Sequence, residues 1–72
     1  MGSKYPVLSP RDIIKVLEKC GFKYVSQKGS HMKYAKGEKI VIIPNHDEVA
    51  KGTLKSILSM AKIELEDFIS ML

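Results

Sequence analysis

The sequence is poor in cysteine and in long apolar runs. Cys20 is the only cysteine among 72 residues, so no disulfide bond can form within the chain. Cysteine and histidine do not recur at zinc-site spacings, and we expect no metal and no other cofactor. The longest aliphatic run, Ile40–Ile43, is far too short to cross a bilayer. These absences exclude a disulfide-stapled scaffold, a zinc finger and a membrane-spanning segment.

The length allows one domain with a small core. The N-terminus lacks the apolar centre of a secretory signal, and together with the lack of disulfides this favours a cytoplasmic protein. Met1–Ser3 looks like a remnant of expression. We therefore expect residues 1–8 to be a tail that includes this remnant, and residues 9–72 to form a single domain.

Charge is unevenly distributed along the chain. Lys and Arg number 12 against 8 Asp and Glu, which gives a formal net charge of +4. Five lysines and one acidic residue, Glu38, lie between Cys20 and Pro44, whereas only acidic charges follow Ile63. We expect a basic surface that suits a polyanion, and a separate acidic surface.

A first helix is predicted from Ser9 onward. Ser9 is a suitable N-cap, Pro10 fits the first helical position, and Asp12 lies three residues after the cap. Gly21 provides a left-handed stop. The apolar side chains that recur at helical spacing are Ile13, Val16, Leu17 and Cys20.

Three short strands should follow, joined by tight turns at Gly29-Ser30 and Lys36–Glu38. The aliphatic run of the third strand predicts burial on both faces or a central position in the sheet. Pro44 ends this strand because proline cannot continue a central ladder. The predicted strands are Phe22–Lys28, His31–Lys36 and Lys39–Ile43.

Helical periodicity returns at Gly52-Thr53, breaks near Lys62-Ile63 and resumes in a short C-terminal helix. The order α-β-β-β-α with a short final helix predicts an α+β fold. Its helices should cover one face of a three-stranded antiparallel sheet and leave the other face open. The apolar positions of the two helices are Leu54, Ile57, Leu58 and Ala61, then Leu65, Phe68, Ile69 and Leu72.

Strand alternation predicts the direction of His31. Side chains along a strand point to opposite faces in turn. Met32 and Tyr34 share one face and should pack against the helices. His31 and Lys33 should then project together from the open face.

The hairpin around His31 contains the groups that cleavage of RNA requires. A 2′-hydroxyl must lose a proton, the leaving 5′-oxygen must gain one, and charge on the phosphoryl oxygens must be stabilised. An imidazole can exchange protons near neutral pH. Lys28 and Lys33 supply positive charge, and the amides of Gly29 and Ser30 can hold phosphate oxygens. From the residues alone, a catalytic histidine and an ordinary surface histidine both stay open.

Four short motifs occur in a fixed order after the first helix. They are Cys20-Gly21-Phe22, Gln27-Lys28-Gly29-Ser30-His31, Ile42-Ile43-Pro44-Asn45-His46 and the segment Lys51–Leu58. Together they resemble the HicA toxin family. The resemblance extends from about Ser9 to Leu72, which is nearly the whole chain.

This resemblance implies a fold similar to that of double-stranded-RNA-binding domains. It implies a toxin that cleaves messenger RNA as a ribonuclease, is not known to use a metal, and is neutralised by a HicB antitoxin. The active-site histidine of the family lies in the Gly-Ser-His motif, which corresponds to His31. Many members carry a polar residue or a second histidine directly afterwards, where this chain has Met32. Because Met32 should face the core, we expect little catalytic loss.

Two further positions each have a functional and a structural interpretation. His46 is a possible second proton-transfer group, but a loop histidine that orders the following connection is favoured. Lys51 and Lys55 flank Gly52-Thr53 at a helix N-terminus, where free amides and the helix dipole suit phosphate. This arrangement resembles the phosphate-binding helix end of double-stranded-RNA-binding domains, and the structural alternative is a solvated helix start.

Aromatic and apolar residues are interpreted as structural. Tyr34 should lie in the core and Tyr24 should be partly buried, although tyrosines can also stack on bases. Cys20 is predicted to be a small buried hydrophobe rather than a nucleophile. The apolar stripe over residues 65–72 is predicted to be core packing.

The basic hairpin is also compatible with a second class of function. A non-catalytic RNA-binding module would use the same lysines and would bind RNA in a salt-sensitive manner without cutting it. His31 favours the enzyme, because a phosphate binder gains little from a neutral histidine at the centre of its basic face. A third hypothesis is that an acidic antitoxin covers His31 and blocks access of RNA.

Overall fold

The element order α-β-β-β-α-α runs through residues 7–72, the part of the chain that the computed structural model describes. Both the α+β class and the order are those that the sequence predicts. The expression remnant predicted at Met1–Ser3 lies outside the described residues. No helix within residues 7–72 has the length and apolar content needed to cross a bilayer. The elements are α1 (Pro10–Lys19), β1 (Lys23–Lys28), β2 (His31–Lys36), β3 (Lys39–Pro44), α2 (Lys51–Ala61) and α3 (Leu65–Ser70).

Helix α1 begins and ends where neighbouring residues satisfy its terminal backbone groups. The Ser9 hydroxyl accepts a hydrogen bond from the Asp12 amide, and the Asp12 carboxylate accepts one from the Ser9 amide. At the other end Gly21 has a φ of +100°, and the Phe22 amide donates to the Leu17 carbonyl over 2.9 Å. The predicted start and stop of this helix are confirmed.

The sheet is an antiparallel meander with the strand order β1-β2-β3. Two-residue turns join the strands, and Gly29 and Gly37 occupy their first positions, each with a φ of +60°. Residues other than glycine are strained at such angles, which explains why both turns begin with glycine. The first turn sets Lys28 directly opposite His31.

The helices cover one face of the sheet, as predicted. Met32 and Tyr34 of β2 and Val41 and Ile43 of β3 are buried beneath them. Removal of this apolar surface from water is the main stabilising contribution. The fully buried side chains at the centre are Ile13, Val16, Leu17, Val41, Ile43, Val49, Leu54, Ile57 and Phe68.

Strand β3 lies at an edge of the sheet and is buried on one face, so the predicted two-faced burial or central position is wrong. Val41 and Ile43 are fully buried, but Ile40 keeps 49% of its surface exposed and Ile42 is half-buried. Isoleucine and valine are favoured in any strand. A run of them therefore does not report how many faces are covered.

Strand β1 lies at the other edge, and the helices do not cover it. Tyr24 sits opposite Tyr34, with ring centroids 5.8 Å apart in an edge-to-face arrangement, yet 56% of its surface is exposed. Tyr24 is thus on the predicted face but less buried than expected. Val25 is the extra residue of a β-bulge, because the pairing register shifts between Tyr24 and Ser26.

Helix α2 starts at Lys51 and is closed by Lys62, whose φ of +58° lies in the left-handed region. The Ile63 amide donates to the Leu58 carbonyl over 3.0 Å. The predicted break near Lys62-Ile63 is therefore a helix stop in which lysine takes the place that glycine usually occupies.

Helix α3 packs through only part of its predicted apolar stripe. Phe68 is fully buried, whereas Ile69 and Leu72 are exposed. Cys20 is half-buried rather than buried, and its sulfur lies 3.7 Å from the sulfur of Met71. The C-terminal end of the described chain therefore packs against the end of α1.

Candidate active site

The tip of the β1–β2 hairpin is held by two hydrogen bonds. The Gln27 side-chain amide donates to the Gly29 carbonyl over 2.9 Å, and the Asn45 backbone amide donates to the Ser30 carbonyl over 2.6 Å. The second bond joins the hairpin to the segment that follows β3. A β carbon added at Gly29 would meet no atom within 4 Å, so the space beside this turn is open.

His31 projects from the face of the sheet that the helices leave uncovered, as strand alternation predicts. Met32 and Tyr34, which share the opposite face of β2, are buried against the helices. His31 itself is exposed, and Lys33, which shares its face, is half-buried.

The open face is defined as the face away from the helices. Antiparallel pairing arranges it in three cross-strand rows, because residues that lie opposite each other point to the same side. The rows are Lys28–His31–Pro44, Ser26–Lys33–Ile42 and Lys23–Ala35–Ile40.

A groove on the open face brings His31 together with the two lysines predicted to accompany it. It is lined by Ser26, Lys28, His31, Lys33 and Ile42. No acidic residue lines the groove, so its charge is positive and suits a phosphate group. Its imidazole, ammonium groups and hydroxyl together can exchange a proton and stabilise an anion.

Ser26 and Ile42 were not among the sequence candidates, although the hairpins contain the signal for both. A two-residue turn at Gly29-Ser30 pairs position 26 with 33, and a turn at Gly37-Glu38 pairs position 33 with 42. Counting outward from the two turns would therefore have placed both residues beside Lys33.

His46 lies in a different groove from His31. It is exposed and lines a depression at the start of α1 with Ser9, Arg11 and Asp47. Both histidines nevertheless belong to the same end of the sheet, because Pro44, two residues before His46, pairs with His31. His46 is not among the residues that line the His31 groove.

Lys51 and Lys55 belong to the helix layer and do not line the His31 groove. Both are exposed in the first turns of α2, whose N-cap, Ala50, offers no side-chain hydrogen bond to the free amides. Lys55 borders a groove that also contains Glu64 and Glu66. The predicted basic residues thus fall into two groups, one on the open face and one at this helix end.

Metal ligands are not clustered in the described part of the chain. Among residues 7–72, no three His, Cys, Asp or Glu side chains lie close enough to hold a metal ion. The groove around His31 contains only one side chain of these four types.

The family is decided by a match that covers most of this fold. Residues 10–63 match the model of the family described as HicA toxin of bacterial toxin-antitoxin. The chain belongs to this family. It is therefore the toxin of a toxin-antitoxin system, and an antitoxin is its partner. No curated protein matches the chain.

The HicA match extends from α1 to the residue after the α2 stop, and it ends before α3. It includes the whole hairpin that carries His31, all five residues that line the groove, and the N-terminus of α2. The resemblance stated from the motifs is confirmed at the level of the family.

Proposed function

We propose that this HicA protein is a metal-independent endoribonuclease that cleaves messenger RNA, with His31 as a general acid or base. The observation that carries this proposal is the exposed imidazole of His31 in one groove with Lys28 and Lys33. Histidine suits proton transfer near neutral pH, and the two ammonium groups suit a phosphate that gains charge in the transition state.

The proposed reaction uses the nucleophile that RNA itself supplies. The imidazole of His31 accepts the proton of a 2′-hydroxyl as its oxygen forms a bond to the adjacent phosphorus. The bond from phosphorus to the 5′-oxygen breaks, and this oxygen gains a proton. The products carry a 2′,3′-cyclic phosphate and a free 5′-hydroxyl, so atoms and protons balance without an oxidant or a metal.

A second group must take part in this scheme. Attacking and leaving oxygens lie on opposite sides of the phosphorus, so one imidazole does not serve both at once. Water or another side chain then protonates the 5′-oxygen. His46 is a candidate because it lies at the same end of the sheet, although it lines a separate groove.

Backbone binding in the proposal involves both groups of basic residues. Lys28 and Lys33 stabilise the reacting phosphate, and the Gly29 and Ser30 amides offer donors at the hairpin tip. Farther along the RNA, Lys51 and Lys55 contact phosphates at the α2 N-terminus.

The proposed partner of this surface is a HicB-like antitoxin that covers His31 and blocks RNA. An acidic antitoxin surface would complement the basic groove. The proposed site of action is the cytoplasm, where messenger RNA is translated.

The test is incubation of the purified protein with RNA in the presence of a chelator, beside the His31→Ala variant. We expect loss of cleavage by about 10²- to 10⁴-fold in the variant, with an unchanged melting temperature because His31 is exposed. A matched control is an RNA with 2′-deoxy nucleotides, which lacks the nucleophile and should resist the parent protein. Equal cleavage by parent and variant would remove His31 from the mechanism, and RNA binding without products would favour the non-catalytic module.

A further inference from the structure

The open face of the sheet has a basic half on β1 and β2. Three lysines, one in each cross-strand row, lie on these strands: Lys28, Lys33 and Lys23. None of the nine residues in the three rows is acidic. Only Lys28 and Lys33 line the His31 groove, so Lys23 extends the positive charge beyond the proposed reaction centre.

The other half of the same face is apolar and lies on β3. Pro44, Ile42 and Ile40 end the three rows on this strand. Ile40 keeps 49% of its surface exposed, and Ile42 and Pro44 are half-buried. A basic stripe therefore runs beside an apolar stripe along the length of the sheet.

We propose that the open face binds a single-stranded segment of RNA, with phosphates along the three lysines and bases over Ile42 and Ile40. This inference rests on the proposed ribonuclease function and names the form of its substrate. A single strand exposes charged phosphates on one side and apolar base faces on the other, which matches the two stripes. A duplex stacks its bases inside and presents only its backbone and grooves, so it would leave the isoleucines uncovered.

The spacing of the rows agrees with a bound single strand of RNA. Successive rows are two residues apart along a strand, which corresponds to about 7 Å. An extended single strand places neighbouring phosphates at a comparable separation, so the reacting phosphate lies between the rows of His31 and Lys33 and the next phosphate lies at the row of Lys23. His31 is in the end row, so the nucleotides that lie on the open face extend from the reacting phosphate toward the row of Lys23.

Aliphatic side chains set the selectivity of this surface. Isoleucine offers no hydrogen bond to a base edge, so the open face contacts any base without reading its identity. The face thus selects single-stranded over duplex RNA while tolerating many sequences.

Binding can be measured in the His31→Ala background with probes that carry 2′-deoxy nucleotides, so that the strands stay intact whether or not His31 is the catalytic group. The probes are a labelled single-stranded RNA, its duplex, and an abasic strand with the same backbone. Lys23→Gln should lower affinity for the single strand several-fold and reduce the slope of log affinity against log salt by about 0.7. Lys15→Gln removes the same charge from the exposed side of α1 and should leave the slope unchanged.

The apolar stripe has its own pair of variants. Ile40→Ala should weaken binding of the normal single strand but not of the abasic strand, because only the former places bases over β3. Ile69→Ala is the matched control, since Ile69 is 42% exposed on α3, away from the sheet. It should change neither affinity.

The outcomes separate this inference from the proposed catalysis. Three results would each overturn the proposed binding of single-stranded RNA to the open face. They are equal salt slopes for Lys23→Gln and Lys15→Gln, equal losses of affinity on normal and abasic strands for Ile40→Ala, and duplex binding as tight as single-strand binding. None of these results depends on cleavage. If instead His31→Ala still cuts RNA while Lys23→Gln and Ile40→Ala change binding as expected, the open face binds single-stranded RNA and only the catalytic role of His31 is wrong.

Discussion

The backbone amide of Asn45 donates a 2.6 Å hydrogen bond to the carbonyl of Ser30, so the hairpin that carries His31 is tied to the chain leaving β3. The cross-strand pair His31–Pro44 lies directly beside this bond. The position of the imidazole therefore depends on two strands and on the connection after them, rather than on a free hairpin tip.

Removal of that amide should loosen the site. Asn45→Pro eliminates the N–H, and we expect a loss of about 1 kcal/mol in unfolding free energy and a clear drop in RNA cleavage. Asn45→Ala keeps the amide and should retain both. Urea unfolding and a cleavage assay would check this, and equal cleavage by the two variants would contradict it.

Lys33 should stabilise the reacting phosphate because it is half-buried in the same groove as His31. We expect Lys33→Gln to slow cleavage by roughly 10-fold or more under saturating RNA. Lys15→Gln, which removes a charge from α1, should have little effect. If Lys33→Gln and Lys15→Gln slow cleavage to the same extent, the effect on cleavage comes from net charge and not from the position of Lys33.

Substitution by alanine should affect the stability of the protein differently at Gly29 and at Gly52. Gly29→Ala forces a β carbon into a φ of +60° and should cost about 1 kcal/mol of stability. Gly52→Ala lies in the first turn of α2 with open space around it and should be neutral or stabilise by up to about 1 kcal/mol. Thermal denaturation of both variants compares them, and a shift of the same sign would argue against the backbone explanation.

Lys62 holds a left-handed conformation that glycine adopts without strain. Lys62→Gly should therefore stabilise the protein by about 1 kcal/mol, since Lys62 ends α2 in this conformation. Lys62→Ala removes the same charge but keeps the β carbon and should bring no gain. Chemical unfolding curves of the two variants give the comparison.

Stability above pH 10 should depend on Tyr34. Burial, with further contributions from the negative charges of Glu18 and Tyr24, raises the pKa of the Tyr34 phenol above its ordinary value of 10.0. The unfolded chain then releases this proton at a lower pH than the folded protein does. The contribution to stability is complete below pH 10 and is lost as pH rises through the folded-state pKa.

Tyr34→Phe removes this titration, so the decline in its unfolding free energy above pH 10 should be shallower than that of the parent. Every other ionisable group is common to the two proteins, so the difference between the two curves isolates Tyr34. Parallel curves would mean that the pKa of the phenol is the same in the folded and unfolded chain.

Local signals in the sequence were enough to predict the elements and the face of His31. Ser9 and Gly21 define α1 through backbone hydrogen bonds between near neighbours, and the turns at Gly29 and Gly37 define the hairpins. Once Met32 is assigned to the core, strand geometry sends His31 to the opposite side. Each step involves residues close together in the chain.

Burial at the sheet edges could not be predicted in the same way. The exposure of Tyr24 and Ile40 depends on how far the helices reach across the sheet, which is a property of packing between distant segments. Likewise, no local pattern indicated that Lys51 and Lys55 would lie outside the His31 groove, because that depends on where α2 rests on the sheet. Periodicity predicts the face of a strand or helix on which a residue lies, but not which other segment covers that face.

The β-bulge at Val25 bears on how the molecule behaves when many copies are present. An edge strand offers free N–H and C=O groups that can template a neighbour's strand. The inserted residue interrupts their regular spacing, and Lys23 and Lys28 at the two ends of β1 would repel an identical edge. Pairing between the β1 edges of two toxin molecules is thereby disfavoured.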